Sequence, residues 1–235
     1  FKEFRKLDIK RGYAKNAEGS ALVTLGNTQV LVGVKMEVGE PYPDSLDEGI
    51  LMVNAELVPI ASPEFETGPP DEYSIELARV VDRGVRESKC INMKKLCIKE
   101  GEKVWMVCID IHVISDNGNL MDASSIGAIA ALLDTKIPKI EEDGTVNREE
   151  YTGKLEISKI PISCTINKIA GKLLVDPNFE EEDATEGKIT ITTIDNAICA
   201  IQKSGVGGFT PEEIQEAIKI SKEIGSDIRK KYFAE

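Results

Sequence analysis

At 235 residues, with 41% hydrophobic and 30% charged side chains, the chain can bury a sizeable core and has the make-up of an ordinary soluble globular protein rather than a disordered or fibrous one. Its net charge of −12 argues against autonomous binding to nucleic acid, since affinity for a polyanion rests on clustered Lys and Arg; any such contact must be local or shared. No run approaches the roughly 20 apolar residues that span a bilayer, so no membrane partner and a cytoplasmic location are expected.

In chain order, Ala21 to Leu25 and Thr28 to Val38 flank Gly26-Asn27, a pair suited to the positive φ angles of a tight hairpin. Leu51 to Leu57 reads as a further strand. Pro63 and Gly68-Pro69-Pro70 then break the chain before Asp71, a helix cap. The helix runs to about Ser88, with Leu77, Val80, Val81, Gly84 and Val85 recurring at helical spacing on its inner face. From Val104 to Ile114 strict alternation puts Trp105, Val107, Ile109, Ile111 and Val113 on one face of a central strand. A turn at Asp116-Asn117-Gly118 leads to a small-residue helix, Asp122 to Leu133, suited to close packing on a sheet. Beyond a charged connection, Glu141 to Glu150, strands are expected at Ile160 to Ile166, Leu173 to Val175, Lys188 to Thr193 and Ala197 to Ile201. Thr210-Pro211-Glu212-Glu213 opens the last helix with a capping box, and Ile214, Ala217, Ile218, Ile224 and Ile228 form its buried stripe. The order β-β-β-α-β-α-β-β-β-β-α describes one α/β (α+β) domain over residues 1–235. The start at Phe1 suggests a truncated N-terminal arm.

Candidate chemistry is sparse. The five cysteines form no CxxC pair and read as reduced thiols, with Cys108, Cys164 and Cys199 inside apolar runs. One histidine, His112, rules out multi-histidine metal sites and reads as a core or interface residue, so neither metal nor cofactor is expected. Gly205 to Gly208 lacks the Lys-Ser/Thr of a phosphate loop and reads as a turn. The acidic stretches Glu37 to Glu48, Glu141 to Glu150 and Glu180 to Glu186 read as solvated loops. Arg79, Arg83 and Arg86, at i, i+4 and i+7, share the outer face of the first helix, where spacing alone suggests a salt-bridge ladder with Glu76, Asp82 and Glu87.

The runs NAEGSALVTLGNTQVLVGVK (Asn16 to Lys35), GPPDEYSIELARVVDRGVRES (Gly68 to Ser88), DNGNLMDAS (Asp116 to Ser124), LLVDPNFEEED (Leu173 to Asp183) and AIQKSG (Ala200 to Gly205) closely resemble the RNase PH family. Within it the combination is similar to the non-catalytic branch of archaeal exosome rings. The resemblance implies a ribosomal-S5-like βαβ arrangement and a hexameric ring of three heterodimers with a catalytic RNase PH-like subunit. It further implies RNA-binding cap subunits and single-stranded RNA threaded through the centre. Active members use phosphate to attack the 3′-terminal linkage, and hold it with a Ser or Thr and an Arg after the glycine of the turn before the second helix. Here Asn119, Leu120 and Met121 stand at that turn, and Glu72-Tyr73 replaces an arginine pair ahead of the first helix. The family's acidic position falls on Glu186. The resemblance therefore implies a degenerate phosphate site, no catalytic residues in this chain, and RNA contacts by Arg79 and Arg83, with Arg86 third. Two other readings stay open at this point: an active phosphorolytic exoribonuclease with an altered phosphate site, and a protein-binding scaffold that never touches RNA.

Overall fold

The computed structural model describes residues 3–141 and 145–234. A first sheet holds β1 (Leu7–Arg11), β2 (Gly19–Leu25), β3 (Thr28–Gly39), β4 (Ile50–Leu57), β5 (Cys97–Lys99) and β6 (Lys103–Ser115). Its order is β1-β2-β3-β6-β4, with β5 beside β6. The hairpin expected at Gly26-Asn27 forms, Leu25 pairing with Thr28 and Gly26 taking φ +58°, a left-handed conformation that costs glycine little. All pairs are antiparallel except β4 with β6, which α1 (Glu72–Ser88) joins as a crossover.

The alternation in β6 is realised: Val107, Ile109, Ile111 and Val113 are fully buried, facing Val30, Val32, Val34 and Met36 of β3 on the same side. The opposite face stays open. His112 lies there with its side chain 42% exposed and Nδ1 3.3 Å from Glu56, so it is not a core histidine. Cys108, on that face too, is half-buried; all five cysteines are free.

α2 (Leu120–Asp134) is covered on every side, because it lies between the first sheet and a second one. The second sheet has the order β10-β9-β11-β12, built from β9 (Ile162–Ile169), β10 (Lys172–Val175), β11 (Gly187–Ile194) and β12 (Ala197–Ser204). α1 packs beside α2, burying Leu77, Val80, Val81, Gly84 and Val85 as their spacing requires. Close approach explains the small residues of α2: a Cβ on Gly127 would stand 2.7 Å from Val32. α4 (Pro211–Ile228) covers the far face of the second sheet with Ala217, Ile220 and Ser221, starting at the expected Thr210–Glu213 capping box.

Several expectations are corrected. Lys136–Ile140 (β7) and Val146–Lys154 (β8) form a two-stranded hairpin where a charged connection was expected, residues 142–144 lying outside the described ones. β8 escapes a pattern-based reading because it is exposed along nearly its whole length and so carries no apolar alternation. The acidic segment near Glu180 is the short helix α3 (Phe179–Asp183), closed by an Asn178–Glu181 capping box, and Glu37 belongs to β3. β1 and β5 complete the sheet at positions where neither length nor periodicity marks a strand. Among the described residues no helix is long and apolar enough to cross a membrane.

One buried acid joins the layers. Asp122, in the first turn of α2, accepts from Thr165 N (3.1 Å) and Thr165 Oγ1 (2.8 Å) on β9, and from Asn119 Nδ2 (3.1 Å). Burial pushes its carboxyl up to about 7 against these hydrogen bonds. An unfolded Asp loses its proton near pH ~4. Between about pH 4 and 7 the folded state therefore holds a proton that the unfolded chain has released, and stability falls as pH rises through that window. The expected outcome is that the urea midpoint drops between about pH 5 and 7.5 in the unaltered chain, and drops less in Asp122→Asn; equal slopes would show that another group sets the dependence.

Candidate functional site

The outer face of α1 presents the arginines as their spacing requires: Arg79, Arg83 and Arg86 are exposed, opposite the buried stripe. They rim a shallow groove of about 250 Å³ with Val53 and Ala78 at its base. Their states differ. Arg86 is held by Asp82 through Nη2 (2.7 Å) and Nε (3.0 Å) and also donates to the Leu51 carbonyl (3.1 Å). Asp82 in turn raises the Arg86 pKa. Arg83 donates only to the neutral Gln202 (2.9 Å), and Arg79 has no hydrogen-bond or ion-pair partner among the described residues. The salt-bridge ladder thus reduces to the single rung Asp82–Arg86; Glu76 instead accepts from Ser204 on β12.

The N-terminal turn of α2 carries the other candidate residues. Asn119 is the N-cap, in left-handed conformation at φ 60°, and Asn119, Leu120 and Met121 are all buried. The Asn119 amide N–H donates to the Glu182 carboxylate (3.1 Å), while its side-chain amide donates to Asp122 (3.1 Å) and Asp176 (2.9 Å). Asp176 is fixed by Arg5, whose backbone N (2.6 Å), Nε (3.0 Å) and Nη2 (2.8 Å) all reach it. A helix N-terminus attracts anions; here the anion beside the cap is the chain's own Glu182.

Between the N-terminal ends of α1 and α2 and strand β11 lies an open cleft of about 400 Å³. Glu182, Asp116 and Glu76 line it, with Tyr73 from α1 and Lys188 from β11. Burial first, then the negative charges of Glu182, Asp116 and Glu76, push the Tyr73 phenol well up; burial raises the carboxyls of Asp116 and Glu182. Glu72 stands at the exposed start of α1. Glu186 is exposed, does not line the cleft, and accepts from Ala170 N (2.9 Å) in the β9–β10 turn. From that acidic run Glu182 and Asp183 line the cleft, and the acid that also reaches the α2 cap is Glu182. Sequence reasoning passed over it as one of a solvated run; the signal lay in Asn178 and Glu181, whose capping box turns that run into a helix.

Sheet order, the α1 crossover and the buried α2 define a member of the RNase PH class. The chain belongs to the 3′ exoribonuclease family: the model of its domain 1 matches residues 3–138 and that of its domain 2 residues 159–224. Relatives named exosome complex component Rrp42 are 52% identical over 233 residues in Thermococcus onnurineus, covering 97% of this chain and 86% of the relative. In Methanopyrus kandleri the figure is 50% over 233 residues, covering 98% and 87%. A chain in the structure of the Archaeoglobus fulgidus exosome with RNA bound to the active site superposes with TM-score 0.93 at 50% identity, covering 98% of this chain and 89% of that one.

Gly118 is what lets Glu182 meet Asn119. It takes φ +82°, and a Cβ there would lie 2.5 Å from the Pro177 carbonyl oxygen and 2.6 Å from the Asn178 carbonyl carbon. Gly118→Ala is expected to destabilise the chain by about 2 kcal/mol or more, through left-handed strain and backbone collision together. Urea unfolding measures this, and hydrogen exchange should show the loss of protection concentrated at Asn119 and in α3; a uniform loss would contradict the local account.

Proposed function

We propose that this chain is the non-catalytic RNase PH-like subunit of an archaeal exosome, acting as one unit over residues 1–235. It shapes a catalytic sister subunit's active site and holds single-stranded RNA for 3′-to-5′ phosphorolysis. The observation that carries the subunit assignment is the 50% identity and TM-score 0.93 to a chain of an exosome captured with RNA in its active site. The expected assembly is a hexameric ring of three heterodimers with RNA-binding cap subunits, working in the cytoplasm.

The division of labour follows from where charge sits. Phosphate attack needs cationic and hydroxyl donors around the incoming anion. The turn that would supply them offers a buried Leu120-Met121 pair and an N-cap amide already engaged by Glu182. Carboxylates crowd the cleft beside it and repel a further anion. On α1 the arrangement is reversed: Arg79 and Arg83 are exposed guanidinium groups without an anionic partner among the described residues, suited to backbone phosphates of a strand running past. Arg86, tied to Asp82 and Leu51, contributes chiefly to fixing α1 against β4.

The test is phosphate-dependent decay of a 3′-labelled single-stranded RNA by this chain alone, by the catalytic sister alone, and by the two assembled. Activity should require the sister and rise on assembly. Arg79→Ala with Arg83→Ala should weaken RNA binding by the ring and flatten its salt dependence by roughly 0.7 in log–log slope per lost phosphate contact. Arg86→Ala should affect RNA less and stability more. Release of nucleoside diphosphates by the isolated chain would overturn the assignment, and unchanged RNA binding in the double variant would leave a scaffold that does not touch RNA.

A further inference from the structure

The cleft beside α2 is built to receive something, and its chemistry is opposite to that of the RNA-facing stripe. Five carboxylates line it, Glu64, Glu76, Asp116, Glu182 and Asp183, against one cation, Lys188. Glu76, Asp116 and Glu182 are engaged, by Ser204, Gly118 N and Asn119 N respectively. The carboxylates of Glu64 and Asp183 have no hydrogen-bond or ion-pair partner among the described residues. Three aromatic rings, Phe65, Tyr73 and Phe179, share the lining, and the Lys188 ammonium stands 5.1 Å from the Tyr73 ring centroid. One ring of the cleft thus already accepts a cation on its face.

An independent observation comes from Asn167, which lines the cleft from β9 and is fully buried, with its Nδ2 unpartnered. Its Oδ1 lies 3.4 Å from Thr185 Oγ1, but that hydroxyl has one proton and donates it to the Glu181 carbonyl at 2.9 Å. Turning the amide over resolves the conflict: the NH2 then donates to Thr185 Oγ1, and the side-chain carbonyl becomes the buried atom left without a partner. A lone buried acceptor calls for a donor. Asn167 thus lines the same cleft as the carboxylates and the rings.

We propose that this cleft is a binding site for a guanidinium or primary ammonium group, borne either by a small organic cation or by an Arg or Lys side chain of a neighbouring subunit. Such a group donates to Glu64, Asp183 and the Asn167 carbonyl while resting against the aromatic rings. It also offsets the negative charges that add to burial in raising the Asp116 and Glu182 carboxyls and the Tyr73 phenol. The inference stands apart from the RNA-positioning role, since it concerns different residues and a ligand of opposite charge.

The experiment is calorimetric titration of agmatine, which carries both a guanidinium and an ammonium, into the full chain at low ionic strength, with inorganic phosphate as the contrasting probe. Saturable agmatine binding is expected, with none for phosphate. The double variant Glu64→Gln, Asp183→Asn should weaken it by about tenfold or more, and Lys188→Met, which removes the competing cation, should tighten it. A charge-matched control distant from the cleft, Glu100→Gln with Glu102→Gln, should leave it unchanged. No saturable binding, phosphate binding instead, or equal weakening by the control pair would overturn the proposal. Repeating the titration on the assembled ring separates the two sources: agmatine excluded from the ring identifies a neighbour's side chain as occupant, and agmatine retained identifies a free cation.

Discussion

Burial of α2 between two sheets is the constraint on which the rest of the structure depends. A helix with no solvated face must be apolar and small wherever a sheet approaches, hence its alanines and Gly127 against Val32. The polar groups at its N-terminal end find partners inside the protein. Asp122 does so through Thr165, and Asn119 through Asp176 and Glu182, so that polar bonds join α2 to the second sheet and to α3. Arg5 closes the knot by holding Asp176 together with the carbonyls of Asn117 and Gly118. Such a network is stable only when nearly complete; among the described residues, Asn119 Oδ1, the hydroxyls of Ser124 and Ser125 and one end of the Asn167 amide are the buried side-chain atoms left unpaired.

The same knot sets the electrostatics. By bringing Glu182 onto the end of α2, the fold satisfies a backbone amide with an internal carboxylate, and the neighbouring cleft becomes strongly acidic. The exposed side of α1 keeps two guanidinium groups that no carboxylate claims. An acidic protein with net charge −12 thereby acquires one local cationic surface and one local anionic hollow.

Legibility followed burial. Where a segment has one buried face, its residues announce it: the hairpin at Gly26-Asn27, the alternation of β6, the stripe of α1 and the capping box of α4 all stand where the pattern puts them. β8 is exposed over most of its length and carries no such pattern, and α3 is too short for periodicity, so both went unread. The candidate residues divide the same way. The arginine stripe was visible from i, i+4, i+7 spacing, but spacing could not tell that Arg86 is bound by Asp82 and Leu51 while Arg79 has no partner among the described residues. Of the two readings of His112, core or interface, the core one fails because alternation assigns two faces without saying which is covered.

By itself the sequence determined the types and buried faces of the elements with one covered side, and membership in a family, because these depend on local spacing and on long runs of matching residues. Only the tertiary structure decided that Glu182 rather than Glu186 reaches the end of α2, that Asp122 is buried with a carboxyl near 7, and that five carboxylates share one cleft. The reason is physical: those residues come from segments up to about 120 positions apart, and whether a charge is solvated, paired or crowded is fixed by neighbours that chain order does not name.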